Sequence, residues 1–246
     1  MRRFLLISAS ILLFNYCYGQ KISTADYSKI ITTRTVMLER QGSEPGSLMI
    51  PVVSANYPEL KRALSDTNLF FGDKVDAVIK HYEADGSGIT SFNYEVTFVN
   101  KDVISIELYY ETMGAYPDNS QEWLTLNIHT GSAYPLSKEI SPAGLDWIYT
   151  SYKALLKKRL STDEDALDKD KVDDSYIEIY KDLVTSADEL TPDVLLKNYI
   201  FTPKGIIFTT DAVLPHDVKN FEPDRKWLVP YAQLKPYILP GAVVLK

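Results

Sequence analysis

Residues 92–136 constrain the fold most, because apolar and polar residues alternate there over three successive segments. Alternation at every second residue is typical of a β-strand with one buried face. The turn residues Asn100-Lys101-Asp102 separate the first two segments, and Thr130-Gly131 ends the third. The predicted apolar faces are Phe92, Tyr94, Val96 and Phe98, then Ile104, Ile106, Leu108 and Tyr110, then Leu124, Leu126 and Ile128. We therefore predict an antiparallel meander of which one face is covered.

The segment before the meander predicts a helix that covers this face. Asp66 or Thr67 can cap its first turn, and residues 84–88, with the sequence ADGSG, end it. Its apolar residues recur at helical spacing, namely Phe71, Val75, Val78, Ile79 and Tyr82. Such a stripe is typical of a helix packed on a sheet.

The C-terminal half repeats this design. Ser141-Pro142 begins a helix that ends near Leu160, residues 198–210 form a hairpin, and Trp227–Pro230 is a further strand. We therefore predict an α+β fold with two lobes, each a helix packed on an antiparallel β-sheet. The N-terminal lobe spans residues 20–136 and the C-terminal lobe spans residues 137–246.

Residues 1–19 predict a signal peptide. The basic pair Arg2-Arg3 precedes an apolar run over residues 4–14, and Gly19 is small enough for cleavage before Gln20. The mature chain is therefore expected in the periplasm or outside the cell, without a transmembrane segment. Lipid anchoring at Cys17 is less favoured, because bulky Tyr16 precedes the cysteine, and retention of the leader as an anchor stays open.

Cysteine content and charge exclude several classes of function. Cys17 is the only cysteine, so a mature chain has no disulfide, thiolate metal site or cysteine nucleophile. Removing Arg2 and Arg3 from the 26 basic residues leaves 24 against 33 acidic ones, a formal charge of −9. Nucleic-acid binding needs a basic stripe that releases counterions, and the sequence has none.

No catalytic motif is recognisable in the sequence. A nucleophile elbow, a His-Glu-x-x-His pair, a phosphate-binding glycine loop and a dinucleotide fingerprint are all missing. The three histidines, His81, His129 and His216, are far apart, and surface hydrogen bonding is the favoured interpretation for them. We therefore expect no metal site and no cofactor, and an enzyme is the less favoured interpretation.

The segment 111–121 is the candidate recognition loop. It is long for a hairpin connection and contains several polar and aromatic residues between two predicted strands. The candidate binding residues are Tyr109, Tyr116, Asp118, Asn119 and Trp123. Together they suit stacking on a sugar ring or anchoring of a protein partner. Alternatively, Tyr116 and Trp123 fold down over the edge of the sheet.

Four segments carry a resemblance to a known family: VISIELYYETMGAYP, WLTLNIHTGSAYPLSKEIS, FTPKGIIFTTDAVLPHD and WLVPYAQLKPYIL. This pattern resembles the paired exported domains of the DUF4163 and DUF3298 type. Such domains occur in lysozyme-sensing anti-sigma factors and beside the catalytic domain of certain peptidoglycan deacetylases. Tyr116 stands where that family commonly has a histidine, so the resemblance implies no metal or acid–base role for this position.

The resemblance and the signal peptide together predict a non-catalytic binding module of the bacterial cell envelope. Its partner is peptidoglycan glycan or an envelope protein, bound through residues 111–123. One alternative is a cell-wall-modifying hydrolase whose site is assembled from distant residues. The other is an inhibitor of a lysozyme-like enzyme, because an acidic surface attracts a basic enzyme.

Overall fold

The computed structural model describes residues 27–40, 45–166, 174–211 and 222–245. The predicted signal peptide, its cleavage site and His216 lie outside these residues. The strands are β1 (Ile31–Leu38), β2 (Gly46–Val53), β3 (Gly88–Val99), β4 (Val103–Met113), β5 (Pro117–Asn127), β6 (Tyr199–Thr202), β7 (Gly205–Phe208) and β8 (Trp227–Pro230). The helices are α1 (Pro58–Ala63), α2 (Asp66–Leu69), α3 (Val75–Asp85), α4 (Pro142–Ala166), α5 (Asp174–Glu189), α6 (Pro192–Leu195) and α7 (Tyr231–Leu234).

The strands form two sheets, which confirms the predicted α+β class with two lobes. The first sheet has five strands in the order β1 to β5, and the second has three in the order β6 to β8. The meander β3-β4-β5 is antiparallel as predicted, whereas β2 and β3 pair in parallel over two residues only. None of the helices in the described ranges is both long and apolar enough to cross a membrane.

One face of the meander packs in the first hydrophobic core, beneath helices α1 to α3. The predicted apolar face of β4 is confirmed, since Ile104, Ile106, Leu108 and Tyr110 are all buried there. The helical stripe is only partly confirmed. The helix that we predicted is broken at Phe71-Gly72, between α2 and α3. At this break Phe71 has a positive φ of 54°, and its side chain is exposed. Gly86 ends α3 in the left-handed conformation, a common glycine stop.

The strand β3 changes face near its end, which the alternation did not predict. A bulge between Val96 and Phe98 inserts one extra residue, so Phe98 points to the opposite side from Phe92. Phe98 packs in the second core against the ring of Phe201, with 5.6 Å between the centroids. The prediction that Phe98 shares the face of Phe92 is therefore wrong.

The second core lies between the second sheet, α4 and the C-terminal residues, and it docks on the other face of the meander. Three hydroxyl groups of that face make the connection. Thr125 Oγ1 donates to the carbonyl of Tyr199 at 2.8 Å, and Thr97 Oγ1 donates to that of Phe201 at 2.9 Å. The backbone N–H of Phe201 donates to Ser105 Oγ at 3.1 Å. The polar face of the meander therefore satisfies backbone groups of β6, so both faces of this sheet are covered where the lobes meet.

The buried carboxylate of Glu139 holds the end of the chain. Its Oε2 accepts the backbone N–H groups of Val244 and Leu245, each at 3.0 Å, and its Oε1 accepts that of Val243 at 2.9 Å. The hydroxyl of Tyr134 also donates to Oε1, at 2.6 Å. Four donors thus satisfy one fully buried side chain, as burial of a carboxylate requires.

Candidate functional site

The segment 111–121 is a hairpin ribbon and not a loop. β4 continues to Met113 and β5 begins at Pro117, and the two strands stay in register from Val103↔Asn127 to Met113↔Pro117. Only residues 114–116 form the turn. The sequence pattern missed this extension because the ribbon beyond the core has no buried face, and so no apolar alternation. The ladder of backbone hydrogen bonds between β4 and β5 continues without such alternation.

Strand alternation divides the candidate residues between the two faces of this ribbon. Tyr109, Asn119 and Trp123 lie on the face that looks toward the second sheet. Tyr109 is paired with Gln121 across the ribbon, and Asn119 and Trp123 are each two residues from Gln121 along β5, so all of these side chains point to the same face. Asp118 pairs with Thr112 and lies on the opposite face. Tyr116 lies in the turn. The structure therefore brings together three of the five candidate residues.

These three residues line a cleft of about 600 Å³ between the ribbon and the segment that follows β7. The residues lining this cleft are Tyr109, Tyr110, Glu111, Asn119, Ser120, Gln121 and Trp123 from the ribbon, and Thr209, Thr210 and Asp211 from the second lobe. Its surface combines an aromatic ring, amides, hydroxyls and carboxylates. A cleft of this size and chemistry can take a small polar ligand or one unit of a polymer.

Trp123 is held in place from behind the cleft. Its side chain is nearly buried, and Nε1 donates a hydrogen bond to Glu107 Oε1 at 3.0 Å. Lys226 Nζ donates to the same oxygen at 3.1 Å and lies 5.3 Å from the centroid of the indole ring. The indole is thus fixed by one carboxylate and one ammonium group, and contributes a rigid wall to the cleft.

The pKa of the Tyr109 phenol is raised above its ordinary value. Burial raises the pKa of Tyr109, and its hydrogen bond to Glu107 and the negative charge of that carboxylate raise the pKa further. On the same ribbon, partial desolvation raises the pKa of Glu122, although this residue is still exposed to solvent, and the negative charge of Asp211 raises the pKa further. The cleft therefore offers a neutral hydroxyl from the ribbon together with one carboxylate of the second lobe, that of Asp211.

The histidines do not take part in this cleft within the described residues. His129 Nε2 lies 3.6 Å from Asp102 Oδ1, and His129 does not line the cleft. No group of three or more His, Cys, Asp or Glu side chains in the described ranges is arranged to hold a metal ion. A site that combines a histidine with the cleft carboxylates is therefore not formed by His129.

Several residues of the site were missed by the sequence reasoning. Glu107 carried a signal, because it stands between Ser105 and Tyr109 on the polar face of a strongly patterned strand. Lys226 and Asp211 carried none. They reach the ribbon from the second lobe, 119 residues after Glu107 in the case of Lys226.

Comparisons with known proteins show the fold. No family model and no curated protein matches the sequence. Among solved structures, a DUF3298 family protein (PA4972) from Pseudomonas aeruginosa PAO1 is similar with a TM-score of 0.52 and 12% identity, over 86% of this chain and 94% of that one. A member of the same family (BF2082) from Bacteroides fragilis NCTC 9343 has a TM-score of 0.43 and 14% identity, over 86% of this chain and 93% of that one. The chain thus has the overall fold of a DUF3298 family protein, PA4972, which supports the DUF3298-type resemblance of its sequence.

Proposed function

We propose that this protein is a non-catalytic binding module of the bacterial cell envelope, and that it binds a glycan of the cell wall in the cleft between the β4–β5 ribbon and residues 209–211. The observation that carries the proposal is the composition of this cleft. Tyr109 and Trp123 supply aromatic surface, while Asn119, Gln121 and Glu111 supply hydrogen-bonding groups on the same side.

This combination suits a sugar ring. One face of a pyranose carries C–H groups that pack on an aromatic surface, and its rim carries hydroxyls that both donate and accept hydrogen bonds. Amide side chains do both, and a carboxylate accepts from two hydroxyls at once. The fixed position of Trp123 also favours binding, because a rigid wall loses little conformational entropy when a ligand arrives.

The net charge of the chain favours a neutral or cationic glycan over a polyanion. The formal charge of the whole sequence is −7, and Glu111 and Asp211 line the cleft itself. Lys226 does not offset them toward a ligand, because its ammonium group is hydrogen-bonded to Glu107. A strongly anionic polymer would be repelled from these carboxylates.

Binding of purified peptidoglycan and of soluble glycan fragments tests the proposal. We expect the folded wild-type protein to be retained on peptidoglycan. The double variant Asn119→Ala, Gln121→Ala should bind about 5- to 30-fold more weakly, since each of the two lost hydrogen bonds is worth about 0.5–1 kcal/mol. Asp118→Ala is the matched control, because it is adjacent in sequence but on the other face of the ribbon, and it should bind as the wild type does.

Two outcomes would contradict the proposal. One is a folded wild-type protein that is retained neither on peptidoglycan nor by the fragments. The other is an equal loss in Asp118→Ala and in the double variant, which would place the binding surface elsewhere. Release of new reducing ends from the glycan during incubation would instead identify a hydrolase, and Glu111 and Asp211 would then be the carboxylates to replace first.

A further inference from the structure

The outer edge of β5 is the feature from which we draw a further inference. β5 is the last strand of the five-stranded sheet, so one of its two rows of backbone groups faces away from β4. A strand edge of this kind is a template on which another extended chain can pair. Residues 119–122 of this edge are exposed to solvent.

The protein itself already uses one end of this edge. Tyr134 N–H donates to the carbonyl of Thr125 at 2.8 Å, and Asn127 N–H donates to that of Ser132 at 2.9 Å, which makes an antiparallel bridge between Leu126 and Ala133. Pro135 follows, and the chain turns away into a short 3₁₀ helix at Leu136–Lys138. The edge is thus competent for antiparallel pairing, and among residues 27–40, 45–166, 174–211 and 222–245 the chain covers it only as far as Thr125.

The parity of this bridge shows which backbone groups face outward. Thr125 and Asn127 use their backbone groups toward residues 132–134, so every second residue before them, namely Trp123 and Gln121, also faces away from β4. In the described part of the chain, no backbone group pairs with the N–H of Gln121 or of Trp123. The outward N–H of Asn119 is different, because the carboxylate of Asp118 accepts it at 2.9 Å. The edge therefore has a window at Gln121–Trp123 that is closed on one side by Asp118 and on the other by Tyr134.

The surroundings of this window indicate the kind of chain that would fit. Beside Trp123 lies a cavity of about 460 Å³ with an apolar lining that includes Leu124, Leu136, Leu145 and Leu196. The charged side chains around the window are mainly acidic, namely Asp118 and Glu122 on the ribbon, Glu111 and Asp211 in the cleft, and Asp193 with Lys197 at the cavity. Lys226 also lies beside Trp123, but its ammonium group is paired with the carboxylate of Glu107. The negative charge of Asp211 acts on Glu122, so these two carboxylates lie close enough to repel each other.

We propose that the outer edge of β5 at Gln121–Trp123 binds an extended segment of a partner protein in which basic residues alternate with apolar ones. The segment adds a strand to the first sheet. Its backbone pairs with Gln121 and Trp123, one apolar side chain enters the cavity beside Trp123, and its basic side chains neutralise Glu122 and Asp211. This site uses backbone atoms, whereas the glycan proposed above uses the side chains of the same two residues.

Two substitutions at Gln121 separate these uses. Gln121→Pro removes the outward N–H and leaves the ladder with β4 intact, because proline is tolerated where the N–H of an edge strand faces solvent. Gln121→Ala keeps the N–H and removes only the side chain. The probe is a fluorescent peptide of about six residues, the usual length of a strand, that alternates lysine with valine. A peptide that alternates glutamate with valine is its control.

We expect the basic peptide to bind the wild type and Gln121→Ala with equal affinity. It should bind Gln121→Pro at least about tenfold more weakly, because this variant loses one backbone hydrogen bond to the peptide and weakens the adjacent one. The acidic peptide should not bind. Absence of binding by the basic peptide, equal binding by Gln121→Pro, or equal binding of the acidic peptide would each overturn the proposal.

Hydrogen exchange of the wild-type protein gives a second test that does not depend on the proline variant folding. Addition of the basic peptide should slow exchange at the amides of Gln121 and Trp123. The amides of Ser120 and Glu122 already face β4 and should change little. Unchanged exchange at Gln121 and Trp123 would overturn the proposal even if the peptide binds elsewhere.

Discussion

Lys226 donates a hydrogen bond of 3.1 Å to Glu107 across 119 residues of sequence, and this contact joins the second lobe to the sheet face that carries the cleft. Glu107 is nearly buried and also accepts the indole N–H of Trp123. The same carboxylate thus links the two lobes and fixes the wall of the cleft. A change at either end should therefore affect both stability and ligand binding.

Replacement of Lys226 tests this link. Lys226→Ala should lower the free energy of unfolding by about 1 to 2 kcal/mol, because it leaves Glu107 with fewer partners. The value stays at the lower end because the lysine side chain is 45% exposed. Urea denaturation measures it, with Lys204→Ala in the exposed β6–β7 turn as the control, expected within about 0.5 kcal/mol of the wild type. Equal stability of both variants would show that the Lys226 contact is not stabilising.

The two aromatic candidates of the ribbon should behave differently. Trp123 is 9% exposed, so Trp123→Ala should cost about 3 to 5 kcal/mol through the cavity that it leaves. Tyr116 is 72% exposed in the hairpin turn, so Tyr116→Ala should leave the melting temperature nearly unchanged. Thermal melts of the two variants decide the matter. A large drop for Tyr116→Ala would mean that its ring supports the hairpin and does not act as a surface group.

Glu139 should be intolerant even of an isosteric change. Glu139→Gln puts an amide donor where the carboxylate accepts from Val243, Val244, Leu245 and Tyr134, so at least one buried donor loses its acceptor. We expect a loss of about 2 to 4 kcal/mol in the free energy of unfolding.

Hydrogen exchange locates this loss. The amides of residues 243–245 should exchange faster in Glu139→Gln than in the wild type, while amides of the first core keep their protection. Equal protection of the C-terminal amides in both proteins would contradict the role of Glu139 as their acceptor.

The pH dependence of the protein's stability should show the effect of the raised pKa of Glu122. Its pKa is raised in the folded state by partial desolvation and by the negative charge of Asp211, so the folded state binds this proton more tightly than the unfolded state does. The stabilisation that protonated Glu122 gives the folded state is therefore fully present below the pKa that Glu122 has in the unfolded chain. It is lost as the pH rises through the pKa that Glu122 has in the folded state. Glu122→Gln should accordingly melt at a higher temperature than the wild type at about pH 7, with the difference vanishing toward about pH 3.

Asp188 supplies the control of opposite sign. A hydrogen bond from Lys157 lowers the pKa of Asp188, so its contribution is present above the unfolded pKa and is lost as the pH falls. Asp188→Asn should therefore melt lower than the wild type at about pH 7. If both variants shift in the same direction, the assignment of Glu122 is wrong.

Local pattern accounts for much of the fold. The alternation in residues 103–110 predicted the buried face of β4 because one side of that strand packs in the first hydrophobic core. The same reasoning located the hairpin of the second lobe and strand β8 at Trp227–Pro230. It failed at Phe98 and at Phe71, where a bulge and a left-handed residue interrupt the period, and a period cannot predict its own interruption.

The candidate site divides in the same way. The sequence by itself determined that Tyr109 and Trp123 belong to neighbouring strands, since turn residues and polar alternation are local properties, but it placed Asn119 in a loop between them. Only the tertiary structure decided that Asp118 lies on the other face, that Trp123 is a buried wall, and that Thr209–Asp211 close the cleft. The contact from Lys226 to Glu107 could not be predicted from the sequence either. It depends on how the second lobe docks on the meander, where hydroxyl groups of the first sheet bond backbone carbonyls of the second sheet. Local sequence patterns do not encode such contacts between distant segments.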